Sequence, residues 1–186
     1  SDRLEILDYE IGFNLGKKYR TSGDNFVYIG ATNPFQTGKV QTLNWKKTDS
    51  NNFPKLNGND YINYDASWFE ESSLANTYYA TMGNYTYYIQ EWTLGAYAQQ
   101  RYLVVVDSVS NEIIHGSYQV DTESTYLLPL ITSDKPMDNT NQWTGSLFKN
   151  RPPIIYGFVS NTFGCPDVLF LGYKEPPIAI KCDNRH

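Results

Sequence analysis

Residues 77–92 read T-Y-Y-A-T-M-G-N-Y-T-Y-Y-I-Q-E-W. Two short runs rich in β-formers flank the dipeptide Gly83-Asn84, which is the pattern of a β-hairpin closed by a two-residue turn. Gly83 suits the first central position of a type II′ turn, where φ is positive and a side chain is strained. Tyrosines fall at both odd and even positions, so the hairpin should carry phenol rings on both faces. Such rings can bury their apolar bodies while their hydroxyls stay near water.

The same signals recur along the chain. Residues 7–15 alternate strictly, with Leu7, Tyr9, Ile11, Phe13 and Leu15 between polar or small neighbours, as in a long half-buried strand. Strands are also expected at 25–30, 40–45 (Leu43 and Trp45 on one face) and 61–65. The continuous apolar run over 102–107 predicts a strand buried on both faces, and 113–120 should return beside it after a turn at 108–111. Further strands are expected at 124–131, with Pro129 pushing its end to an edge, and at 154–160, 168–173 and 178–180. Residues 46–60 and 133–145 read as long polar loops, the second carrying Trp143; such loops often carry function on a rigid scaffold. The period over 66–76 does not resolve, and 94–100 gives no clear signal. About ten strands at short spacing, with little helix, predict a single all-β domain over 1–186, an antiparallel barrel or sandwich with long polar loops.

Composition narrows the function. The 186 residues suit one domain and need no staple for their core. Charged residues make up 19% and the chain holds 16 Tyr, so Tyr, Asn, Thr and Ser carry much of the surface. Binding surfaces for uncharged polar ligands use this mix, although Tyr and Thr are also ordinary strand formers. The net charge is −5 with no basic stripe, which argues against nucleic-acid binding. No apolar run reaches 18 residues, so no helical membrane span is expected. The chain opens at Ser1 without Met or a signal peptide, so we expect a processed or excised piece of a longer chain.

A search for chemistry is nearly empty. There is no G-x-S-x-G, no P-loop and no dinucleotide fingerprint. His115 is the only internal histidine, in an expected strand, and the other, His186, ends the chain. Adjacent Glu70 and Glu71 would point to opposite faces of a strand. Asp65, Glu91 and Asp107 could converge as a glycosidase pair only if the fold brings them together. The segment 57–60 lacks calcium-loop spacing, and no cofactor or metal is expected. Cys165 and Cys182 match no zinc pattern. They could be free thiols or pair in a disulfide worth up to ~3 kcal/mol. Asn84-Tyr85-Thr86 is an N-glycosylation sequon, relevant only in a secreted protein.

The excised start S-D-R-L-E-I-L-D-Y-E-I-G-F, strands such as N-Y-T-Y-Y-I-Q-E-W, and the proline-marked N-R-P-P-I-I-Y-G-F-V together resemble the projecting spike head of a non-enveloped virus capsid. The astrovirus capsid spike domain is the nearest family, and the rotavirus spike head comes second. The resemblance spans the chain without a signature motif, and bacterial adhesins and carbohydrate-binding domains share the style. It implies a compact dimeric β head on the virion surface that attaches to a host-cell receptor, glycan or protein, and draws antibodies. In such a capsid the two cysteines could stay reduced and Asn84 unglycosylated. The candidate contact residues are Trp143 with Asn141 and Gln142, Phe35 beside Asn33, and Tyr97 with Gln99. The alternative is a secreted carbohydrate-binding or adhesin module with a disulfide; a small glycosidase is the third possibility.

Overall fold

Two Gly-first turns set the frame. In the computed structural model, which describes residues 31–36, 40–56, 72–132, 142–172 and 174–180, Gly83 has φ +56° and Gly95 has φ +64°. Each opens a two-residue hairpin loop. The first joins β3 (Ser73–Met82) to β4 (Tyr85–Leu94), and the second joins β4 to β5 (Tyr97–Asp107). Asn84 keeps a negative φ, as type II′ requires at its second central position. A four-residue turn then leads from β5 to β6 (Glu112–Val120). In that turn Asp107 Oδ1 accepts the Val109 amide, and Asn111 takes the left-handed conformation at φ 59°.

β3 through β6 are therefore a meander of long strands. β2 (Lys46–Thr48) pairs with β3 and completes a five-stranded antiparallel sheet in the order β2-β3-β4-β5-β6. The expected long loop at 46–60 thus begins with a strand, followed by a 3-10 turn at Ser50–Asn52 capped by Asp49. β2 is three residues long and exposes Lys46 and Lys47, and short, lysine-bearing edges resist further strand pairing.

A second sheet has the order β1-β8-β9-β11, from β1 (Val40–Thr42), β8 (Trp143–Gly145), β9 (Ile154–Tyr156) and β11 (Leu169–Phe170). Its strands are two or three residues long. Among the described residues β7 (Thr125–Leu127) pairs only with β10 (Val159–Asn161). Among the described residues all the strand pairs are antiparallel, the two main sheets face each other as a sandwich, and no closed barrel is found.

The core lies between the sheets. Ala80, Tyr87, Ile89, Leu103 and Val105 from the meander meet Leu43, Trp45, Leu130, Ile155, Phe158 and Leu171. Fully burying one side chain such as Ile89 or Leu103 contributes about 1.5–3 kcal/mol. Strand alternation sends Ile154 the opposite way from Ile155, into a second cluster with Phe148, Val168 and Phe170. The Tyr87 hydroxyl lies 2.6 Å from Thr144 Oγ1 and ties β4 to β8. Burial raises the Tyr87 pKa to about 12, so the phenol stays protonated.

The meander agrees with the sequence pattern. Tyr78 and Tyr87 face the core while Tyr79 and Tyr88 lie on the other face. Residues 102–105 are buried, as a strand covered on both faces should be. Other expectations need correction. The run 154–160 is two strands, because Gly157 at φ 83° redirects the chain between them. The run 124–131 is a strand only to Leu127; past it, Leu128 N bonds Phe158 O and Ile131 O accepts from Trp45 N. Over the described residues 178–180 there is only a single bridge, Val168 to Ile178, and 168–172 reduces to β11 plus that bridge. The stretch 94–100, which gave no clear signal, is the end of β4, the two-residue turn Gly95-Ala96 and the start of β5. The strands expected at 7–15, 25–30 and 61–65 lie outside the described residues.

Candidate binding groove

The β4–β5 turn forms one wall of a groove of ≈ 610 Å³. The segment that leaves β6 and runs through β7 to Thr132 forms the other. A β-bulge between Trp92 and Thr93 places two β5 residues, Gln99 and Gln100, where one would fit, and bulges re-aim the side chains beside them. The Gln99 carbonyl at this bulge accepts the Asp121 amide at 2.8 Å, which joins the walls. Asp121 Oδ2 in turn accepts the Leu127 amide at 3.1 Å.

The floor is ionic. Glu91 and Arg101 face each other across β4 and β5 and are 8% and 2% exposed. Arg101 donates to Glu91 Oε1 twice, from Nε at 3.1 Å and Nη2 at 2.6 Å, and its Nη1 donates to the Leu128 carbonyl at 2.8 Å. Burial pulls the guanidinium pKa down, and Glu91 opposes that pull. Removing either partner would leave a buried charge uncompensated. The rim is apolar: Tyr97 is 81% exposed and Leu94 45%. A smaller hollow of ≈ 280 Å³, lined by Phe53, Trp92, Tyr102 and Tyr118, lies on the opposite face of the sheet. The larger groove lies well within the roughly 300–1,000 Å³ usual for ligand sites.

The expected contact residues do not form one site. Tyr97 and Gln99 line the groove. Trp143 lies on β8, partly exposed, its ring 6.4 Å from that of Tyr156. Gln142 is corrected as a surface contact: it is fully buried. Its Nε2 donates to the carbonyls of Pro129 and Gly157 at 3.0 Å each, and its Oε1 accepts from Trp45 Nε1 at 3.3 Å. Phe35 packs on Phe148 with ring centroids 5.3 Å apart, beside the second core cluster. The Asn33 side chain accepts the Phe35 amide at 2.9 Å. Asn141 lies outside the described residues. Glu91, Arg101 and Asp121 were not expected as groove residues. The sequence does not pair the first two: Glu91 lies four residues before Gly95 and Arg101 five after Ala96, and only the bulge at Trp92/Thr93 sets them opposite each other.

The chemistry-bearing residues are dispersed. Glu91 and Asp107 do not converge: Asp107 lies six residues beyond Arg101 on β5, roughly 20 Å along the strand. That exceeds the spacing of a glycosidase pair. Asp65, Glu70 and Glu71 lie outside the described residues. His115 is buried, and burial pushes its pKa down to about 4 against a backbone hydrogen bond to Gly172. Among the described residues no group of three His, Cys, Asp or Glu could hold a metal, and no helix is long and apolar enough to cross a membrane. Cys165 is disulfide-bonded, and the chain's only other cysteine is Cys182, which lies outside the described residues. Asn84 is exposed at the β3–β4 turn, where a glycan would meet open solvent. No family model, curated protein or solved structure matches the chain.

Proposed function

We propose that the chain is a non-catalytic binding head whose receptor contact is the groove at the β4–β5 tip. The observation that carries this is Tyr97, 81% exposed on a two-residue hairpin above a groove with a built ionic floor. An aromatic ring held in water by a short, stiff turn has no role in the core. Tyrosine offers a large contact area for few rotatable bonds, so ordering it on binding costs little entropy. Together with the sequence resemblance, this supports a viral capsid spike of the astrovirus type, displayed on the virion surface for host-cell attachment and antibody recognition. A homodimer belongs to the same proposal.

One observation favours the alternative of a secreted carbohydrate-binding or adhesin module. Disulfides persist in oxidising compartments, and Cys165 is disulfide-bonded. The purified chain should bind intact host cells saturably, remain dimeric by light scattering, and turn over no glycoside. Absence of saturable binding overturns the head. A strict monomer at high concentration overturns the dimer, and glycan occupancy at Asn84 in the native source would favour the secreted module.

A further inference from the structure

The groove holds an acceptor that no described residue bonds. Glu91 is 8% exposed and lines the groove, and both of Arg101's bonds to it land on Oε1. Among the described residues no hydrogen bond reaches Oε2. A carboxylate oxygen held in place through its neighbour's ion pair and still open to the groove can accept from a donor that a ligand brings, and such charge-assisted bonds are short and strong. Floor acceptor and rim aromatic belong to the same hairpin, whose register sets their backbone positions.

We infer that the groove takes a neutral, hydroxyl-rich glycan, with one sugar ring against Tyr97 and a hydroxyl donating to Glu91 Oε2. This rests on the binding-head reading above. Charge selects the class. The Arg101 guanidinium, 2.6 Å from Oε1, already neutralises Glu91. A lysine or arginine from a protein partner would meet that guanidinium at the floor, whereas a hydroxyl donates without adding charge. An anionic sugar would face Glu91 Oε2 and the carboxylate of Asp121, whose Oδ2 is taken by Leu127 N. The walls suit the same ligand: Gln99 supplies an amide donor and acceptor, and Ala96, Ala98 and Leu127 supply apolar surface for sugar C–H faces.

The test uses the whole chain on intact cells, with three treatments: periodate oxidation of surface glycans, sialidase, and competition by a lysine- and arginine-rich peptide. Tyr97→Ala and Gln99→Ala probe the groove at positions whose side chains can be removed without opening the core, and exposed Val109→Ala at the far end of the sheet is the control. Periodate should abolish binding, while sialidase and the peptide leave it unchanged. Tyr97→Ala should weaken it roughly tenfold or more and Gln99→Ala a few-fold, with Val109→Ala unaltered. Saturable binding that survives periodate, or that sialidase or the peptide removes, overturns the glycan and leaves the binding head standing. Periodate-sensitive binding that Tyr97→Ala leaves intact overturns this groove as its site. No saturable binding at all overturns the head itself.

Discussion

The two sheets of this sandwich are made in opposite ways. β3, β4, β5 and β6 are nine to eleven residues long and joined by turns of two to four residues. The facing sheet gathers strands of two or three residues from distant parts of the chain; Val40 pairs with Gly145. Local pairing closes small loops at little entropic cost, whereas pairing across a hundred residues must be compensated by the packing it creates. The meander accordingly carries the groove floor on its own hydrogen-bonded ladder. The short sheet is held through side chains: Tyr87 to Thr144, Gln142 to Trp45, and the shared core.

The largest test breaks the meander at its middle. Arg101→Ala leaves Glu91 buried without its partner and should cost about 3–5 kcal/mol in urea unfolding. The double variant Glu91→Leu/Arg101→Met should recover most of it. An equal loss in both would show that packing, not charge, matters there.

Next comes acid, which acts on β6. The His115 pKa is about 4 when folded against an ordinary 6.5, so between those values the unfolded chain binds more protons. The contribution is fully present above pH 6.5 and is lost as pH falls toward 4, about 3 kcal/mol in total. His115→Gln should flatten the pH dependence of the unfolding midpoint between pH 5 and 6.5; an unchanged slope would contradict the burial of a neutral ring.

Tyr87→Phe cuts the tie between the sheets. The Thr144 hydroxyl, itself buried, is left without its partner, for a cost of about 1–3 kcal/mol. If the sheets depend on each other, tryptophan fluorescence and far-UV circular dichroism will still report one transition; two transitions would mean that the meander stands alone. The smallest effect is at the turn. Gly95→Ala meets no atom within 4 Å, so only its φ of +64° opposes the change, at about 1 kcal/mol.

The same difference explains what was legible in the sequence. Gly83-Asn84 between tyrosine runs, the apolar run 102–107 and its return over 113–120 all describe neighbours in sequence, and their pairings follow. Gly95-Ala96 passed unseen because Ala96 carries no turn chemistry. Trp143 reads as a loop residue because its strand is three residues long and its partners lie at 40–42 and 154–156. Gln142 reads as a surface amide because nothing local shows the carbonyls of Pro129 and Gly157 closing around it. Of the groove, the rim residues Tyr97 and Gln99 were visible as an exposed-type aromatic and amide. The floor became visible only with the register that sets Glu91 opposite Arg101.

The most direct test compares the two regions in one assay. Wild-type chain, Tyr97→Ala and Trp143→Ala are titrated onto intact host cells, with folding checked by circular dichroism. The groove at the meander tip predicts that Tyr97→Ala loses roughly tenfold or more in affinity while Trp143→Ala binds as wild type. Loss with Trp143→Ala and none with Tyr97→Ala would move the contact surface to the short-stranded sheet and contradict the account.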